Sequence, residues 1–152
     1  MHMPSLTVQT PTGPFTITEE HGRITRSEWG SGGTDQTPLL QRAAAQVTAY
    51  FDGQLTSFDL PLNPDGSSLQ QQTCNAMLTI RFGETRTYGD LAKELGVPAQ
   101  AIGQACSGNP ISLIIPCHRV LAATNLGGFS GRHGIETKVW LLKHEGAASL
   151  LI

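Results

Sequence analysis

Thr87-Tyr88-Gly89-Asp90-Leu91-Ala92-Lys93-Glu94-Leu95-Gly96-Val97-Pro98-Ala99-Gln100-Ala101-Ile102-Gly103-Gln104-Ala105-Cys106-Ser107-Gly108 reads as two short helices joined by a tight turn. Gly96 stops the first helix. Pro98 restarts a second, which runs to about Ser107 and ends at Gly108-Asn109-Pro110. Two short helices around a glycine-containing turn describe a helix-turn-helix. The second helix carries small residues at Ala99, Ala101, Gly103, Ala105 and Ser107, with Ile102 on another side. A helix that reads the major groove projects long polar side chains. Small residues instead let a backbone approach something narrow, such as a minor groove, or another helix; periodicity does not separate these two readings.

Downstream of this pair, Ile111-Ser112-Leu113-Ile114-Ile115 reads as a buried strand ended by Pro116. Glu136 to about Glu145 reads as an amphipathic helix offering Val139, Trp140 and Leu142 to the core. Upstream, Leu69 to about Ile80 is expected to be helical, with Leu69, Thr73, Ala76, Met77 and Ile80 on one side. Asn63-Pro64-Asp65-Gly66-Ser67-Ser68 reads as a linker. Before it, Leu6–Thr10, Phe15–Glu19 and Arg23–Trp29 are extended stretches separated by turn residues, which predicts a small antiparallel sheet. Thr37-Pro38 opens a helix whose apolar face is Leu39, Leu40, Ala43, Ala44, Val47 and Phe51, with Gly53 as its stop. Phe58, Leu60 and Leu62 alternate with Asp59 and Pro61, as in an edge strand. The expected architecture is a small α/β N-terminal domain, residues 1–65, and a mainly α C-terminal domain, residues 66–152, with a helix-turn-helix, winged-helix-like element.

The 152 residues are 39% hydrophobic and 14% charged, which fits a folded chain rather than a disordered one. No apolar run is long enough to span a membrane, and Met1–Ser5 has neither the basic nor the apolar region of a signal peptide. Three cysteines, an odd count, fit a reducing compartment and a cytoplasmic protein. Residues 1–65 hold three basic and seven acidic side chains, and residues 66–152 seven basic and five acidic. The sign change, from −4 to +2, places any phosphate-contacting surface in the second part.

Cys117-His118 follows the apolar run and Pro116 directly. A thiol acts as a nucleophile when a base or positive charge helps it become a thiolate. Adjacent residues do not automatically touch, and spacing alone favours a buried core cysteine beside a surface histidine. Cys74 and Cys106 lie among apolar or small residues and read as core. His2, His21, His133 and His144, together with the cysteines and His118, show no CxxC or HxxxH spacing, so no metal site is expected. No glycine-rich phosphate loop is present, and no cofactor is expected.

Ile115-Pro116-Cys117-His118-Arg119-Val120 resembles the PCHRV signature of the O6-alkylguanine-DNA alkyltransferases. Phe82-Gly83-Glu84-Thr85, Thr87–Ala92, Gly108-Asn109-Pro110-Ile111, Gly128-Phe129-Ser130-Gly131 and Lys138–Gly146 resemble the family's other blocks, in order. Residues 66–146 are covered almost continuously. Thr10–Phe15 and Tyr50–Leu55 resemble the family's N-terminal domain more loosely.

The resemblance implies direct-reversal DNA repair. An alkyl group moves from O6 of guanine, or O4 of thymine, to Cys117 and stays there. His118 would take the thiol proton through a water, and Glu145 would hold the imidazole. Tyr88 would help rotate the nucleotide and donate to the base. Ser130 would hydrogen-bond O6, and the carbonyls of Cys117 and Val120 would accept from the guanine amino group. Asn109 would brace the turn, and Arg119 would serve structure, linking strand to helix. Ala101 and Gly103 would belong to the helix entering the minor groove. The implied partner is double-stranded DNA containing O6-alkylguanine, with no membrane, and the protein is expected to be a monomer.

The sequence departs from the family pattern at four places. Gln100 stands where an arginine enters the base stack, which implies weaker DNA binding or slower flipping. Phe129 stands where a tyrosine is common, and Cys74 where a tryptophan is frequent. Arg132-His133-Gly134 lengthens the following loop, with His133 read as solvated. A damage sensor that binds without transferring the group is the alternative, although relatives of that kind lack the cysteine. A Cys-His hydrolase has no oxyanion-hole signal in this sequence.

Overall fold

In the computed structural model, which describes residues 3–123, 125, 127 and 134–147, the three extended stretches form one antiparallel sheet. β1 (Ser5–Thr10) pairs with β2 (Gly13–Glu20), which pairs with β3 (Arg23–Trp29). Glu20 opposes Arg23, so the second hairpin turns on His21-Gly22 alone. Both turn residues take positive φ, 53° and 78°, as a two-residue hairpin matched to strand twist requires. α1 (Pro38–Phe51) starts as expected: the Thr37 hydroxyl accepts from the Leu40 amide at 3.2 Å, and Pro38 opens the first turn. Leu40, Ala43, Val47, Tyr50 and Phe51 form its buried face. With Phe15, Ile17 and Ile24 they make the core of this unit, each large apolar side chain contributing about 1.5–3 kcal/mol of transfer free energy.

The chain divides into two compact units, Met1–Pro64 with Pro110–Ile114, and Asp65–Asn109 with Ile115–Ile152. The 110–114 segment, read from sequence as part of the second domain, therefore groups with the first. It does not form the expected strand. Ser27 takes one bridge to Ile111, donates its amide to Pro110 O at 3.0 Å and its hydroxyl to Ser112 O at 2.7 Å. Leu113 then adopts φ 72°, a left-handed conformation that no extended strand can hold. The apolar run is buried, but one strained residue bends it. The expected edge strand at Phe58–Leu62 also shrinks to a single bridge, Ile24 to Leu62. Pro61 has no amide to donate and contributes only its carbonyl, to Ile24 N at 2.8 Å.

In the second unit, α2 (Ser68–Met77) is capped by Ser67 and buries Thr73, Cys74, Ala76 and Met77. It ends three residues short of Ile80, which is buried beyond it. α3 (Tyr88–Leu95) starts with a capping box between Thr87 and Asp90, and closes at Gly96 in the left-handed conformation, φ 68°. α4 (Ala99–Ser107) follows Pro98 and buries Ile102, Ala105 and Cys106. α2, α3 and α4 pack on one another, so the helix-turn-helix pair rests on a third helix. β4 (Arg86–Thr87) runs parallel to β5 (Val120–Leu121). α5 (Ile135–His144) buries Thr137, Lys138, Leu141 and Leu142. Val139 and Trp140, expected in the core, are half-buried instead, and Trp140 stacks on His144 with centroids 5.1 Å apart. The helix is rotated so that Lys138 points inward. No helix among the described residues is long and apolar enough to cross a membrane.

Candidate active site

Pro116 ends the apolar run, and Cys117–Arg119 form one turn of 3₁₀ helix leading into β5. All three side chains of this tight turn, Cys117, His118 and Arg119, are buried. Cys117 sits beside Asn109, whose side chain hydrogen-bonds the thiol and donates to Ile115 O at 2.9 Å. Asn109 thus joins the end of α4 to the residues that precede the cysteine.

His118 turns toward the C-terminal end of α5. Its Nε2 lies 2.8 Å from Glu145 Oε2. Arg119 holds the same carboxylate in a fork, donating from Nε to Oε1 at 2.8 Å and from Nη2 to Oε2 at 3.0 Å. Its third nitrogen, Nη1, donates to Ile80 O at 2.6 Å. The carboxylate only accepts, so Nε2 carries the imidazole hydrogen and Nδ1 presents its lone pair. Nδ1 is buried and has no hydrogen-bond partner among the described residues.

Burial disfavours charge on each of these groups, and the neighbours decide the outcome. Burial would raise the Glu145 carboxyl, but hydrogen bonds from His118 and Arg119 overcome it and hold the group well below the usual carboxylate range. Burial pushes the His118 imidazole down; Glu145 pulls it up, while Arg119 and Lys138 push it down further. Burial raises the Cys117 thiol, against the Asn109 hydrogen bond and the Lys138 charge, which favour thiolate. Lys138 is itself pulled down to about 8 by burial, with the Cys117 and Cys106 thiols acting in the other direction.

Lys138 also organises the neighbouring wall. Its Nζ donates to Val120 O at 2.7 Å and lies 5.9 Å from the centroid of the Tyr88 ring. Tyr88 opens α3, directly after β4, which pairs with the strand that begins at Val120. Gly127 also lies against the tyrosine: a Cβ there would fall 2.6 Å from Tyr88 Oη, and its φ is 71°. Any side chain at 127 would displace the ring.

The sequence-predicted residues fall into two groups. Asn109 hydrogen-bonds the Cys117 thiol, His118 on the same turn hydrogen-bonds Glu145, and Lys138 lies between Val120 O and the Tyr88 ring. Gln100, Ala101 and Gly103 lie on α4; Gln100 is exposed, and a Cβ on Gly103 would meet nothing within 4 Å. Phe129 and Ser130 lie outside the described residues. Cys74 and Cys106 are core thiols, the first against Gln70 and the second 3.7 Å from the Met77 sulfur. Burial pushes Cys106 up to about 12. Sequence reasoning missed two participants. Arg119 does serve structure, yet what it links is Glu145 to Ile80. Lys138 was not singled out, although its spacing with Leu141 and Leu142 puts it on the buried face of α5.

Residues 68–147 match the family described as 6-O-methylguanine DNA methyltransferase, DNA binding domain, and residues 5–64 match its ribonuclease-like domain. The chain belongs to the 6-O-methylguanine DNA methyltransferase family. A methylated-DNA–protein-cysteine methyltransferase of Mycobacterium tuberculosis is 40% identical over 151 residues, covering 91% of this chain and 90% of its own. The enzyme of that name from Methanosarcina acetivorans is 46% identical over 112 residues, 72% of this chain and 70% of its own. The crystal structure of the Mycobacterium tuberculosis O6-methylguanine methyltransferase superposes with a TM-score of 0.84 at 34% identity, over 99% of this chain and 97% of that one. A structure of the Mycobacterium tuberculosis protein in complex with DNA gives 0.83 at 40% identity, over 92% and 91%. The ribonuclease-like match, 5–64, lies within the first compact unit, and the DNA-binding match, 68–147, spans the second together with the Pro110–Ile114 segment that groups with the first.

Proposed function

We propose that this protein repairs DNA by moving an alkyl group from O6 of guanine to Cys117. The observation that carries the reading is a buried thiol on the same turn as an imidazole whose Nε2 is fixed on a carboxylate and whose Nδ1 lone pair is uncommitted. A base oriented from behind is the arrangement that activates a nucleophile. The thiol proton passes to His118 Nδ1 through a water. The Cys117 sulfur then forms a bond to the alkyl carbon as the carbon–O6 bond breaks, and that electron pair leaves with guanine. Tyr88, held by Lys138 and Gly127, donates to the departing base. The thioether product is not reversed, so each molecule acts once.

The reacting carbon lies inside a duplex, and the nucleotide must leave the stack to meet a thiol this deeply buried. Extrusion costs a few kcal/mol, least for a damaged pair. The open backbone of α4 around Gly103 suits close approach to a minor groove. Specificity for O6-alkylguanine, a monomeric state and a cytoplasmic location belong to the same proposal. The test is a count of methyl groups moved from an O6-methylguanine duplex. The yield is expected to plateau at one per protein molecule, and Cys117→Ala to move none. Repeated turnover contradicts the suicide reading, and tight binding without transfer would favour the damage sensor.

A further inference from the structure

We propose that Arg119 is a positioning residue for the proton relay: its guanidinium occupies both oxygens of Glu145 and so keeps His118 a neutral base with Nδ1 bare. The inference deepens the proposed transfer reaction and rests on it. A buried histidine beside a bare carboxylate tends to become an imidazolium, because the pair of opposite charges is favoured over a lone anion. An imidazolium has no lone pair for the thiol proton. Here the carboxylate already has a permanent counter-charge, delivered through a two-point fork at 2.8 and 3.0 Å. Arg119 cannot drift from this position, since its third nitrogen is anchored on Ile80 O at 2.6 Å. Lys138, facing the ring from α5, acts in the same sense, and Cys117, which shares its turn, is a neutral thiol until it gives up its proton. Glu145 is therefore the single anion among these groups, and Arg119 answers it. Glu145 orients the ring while its charge is spent on the guanidinium.

The test is an NMR titration of the His118 ring nitrogens in the free protein, with the pH profile of single-turnover transfer measured beside it. In the unaltered protein the ring is expected to be the neutral Nε2–H tautomer at pH 7 and to stay so well below the ordinary histidine pKa, about 6.5. An imidazolium at pH 7 would overturn the proposal without any variant. Arg119→Gln is expected to move the ring titration, and the rising limb of the rate profile with it, upward by a pH unit or more. That makes transfer about tenfold slower at a pH below both limbs. Arg119→Lys keeps the charge and is expected to return the limb close to its original position, even where its overall rate is lower. A folded Arg119→Gln protein whose ring titrates as before would also overturn the proposal. The titration needs no DNA, so its result stands apart from whether Cys117 accepts a methyl group.

Discussion

Lys138 is a charged group inside the core of the DNA-binding unit, and its position sets a stability cost against a functional gain. Its side chain is fully buried, and the ammonium donates to Val120 O with the Tyr88 ring nearby. A folded pKa of about 8, below the ordinary lysine value of about 10.4, means that the unfolded chain binds the proton more tightly than the folded one. The charge therefore destabilises the fold at every pH below about 8, and the penalty fades between 8 and about 10.4. The shift corresponds to roughly 3 kcal/mol as an upper bound, and replacing the lysine also leaves Val120 O without this donor, at a cost of about 1–2 kcal/mol. Lys138→Met is expected to raise stability at pH 7 by about 1 kcal/mol, a few degrees in Tm. The same change is expected to slow transfer at least tenfold, because it removes the cation that favours the Cys117 thiolate. Thermal melts and single-turnover rates check the two halves. A destabilised variant with unchanged transfer would refute this account of the lysine. At this scale the sequence was half legible. Cys117 and His118 stood out through the family resemblance, whereas spacing alone favoured a core cysteine. The clamp of Arg119 on Glu145 joins residues 26 positions apart, and no local pattern announces such a contact.

Among the elements, α4 carries the departure from the family most open to test. Gln100 is exposed on a helix rich in small residues, where the family resemblance implies an arginine. An arginine there adds a charge that releases counterions from DNA and a planar group that stacks. Gln100→Arg is expected to tighten binding to alkylated DNA roughly three- to tenfold and to steepen the slope of log affinity against log salt by up to about 0.9. Faster transfer is expected with it. Titrations at several salt concentrations read both quantities, and unchanged affinity and rate would show that Gln100 does not occupy the arginine's place. Elements were legible where turn and cap chemistry was local. Thr37-Pro38, His21-Gly22 and Gly96 each define a boundary the structure keeps. They failed where one residue overrides a pattern: Leu113 bends an apolar run, and Pro61 removes the amide an edge strand needs. In α5 the aromatic Trp140 suggested the buried face, but the Lys138 bond to Val120 O, and the ion pairs of Glu145 just past the helix end, place charged groups inside.

For the molecule as a whole, the buried relay predicts sensitivity to acid. His118 has a folded pKa below its ordinary value, so under about pH 6.5 the unfolded chain takes up a proton that the folded one refuses. Glu145 has a folded carboxyl held far below the ordinary range, so its contribution is present above about pH 4.3 and is lost as pH falls further. Both groups make stability rise with pH. The Tm is expected to fall steadily from pH 7 to 5, and His118→Gln to flatten that decline between about 6.5 and 5. Equal slopes in the two proteins would remove His118 as the cause. At this scale composition and charge gave the folded class and the sign difference between the two parts, both of which need only counting. Composition does not reveal that Pro110–Ile114 leaves one unit for the other and that the chain returns at Ile115, because that path is set by the contacts of Ser27 with Ile111 and Ser112.

Three buried thiols, Cys74, Cys106 and Cys117, compete as acceptors, and only one of them shares a turn with an oriented imidazole. Peptide mapping by mass spectrometry after reaction with an O6-methylguanine duplex tells them apart. The added methylene is expected on Cys117 alone, and its appearance on Cys74 or Cys106, or on no cysteine, would contradict the assignment of this relay as the reactive centre.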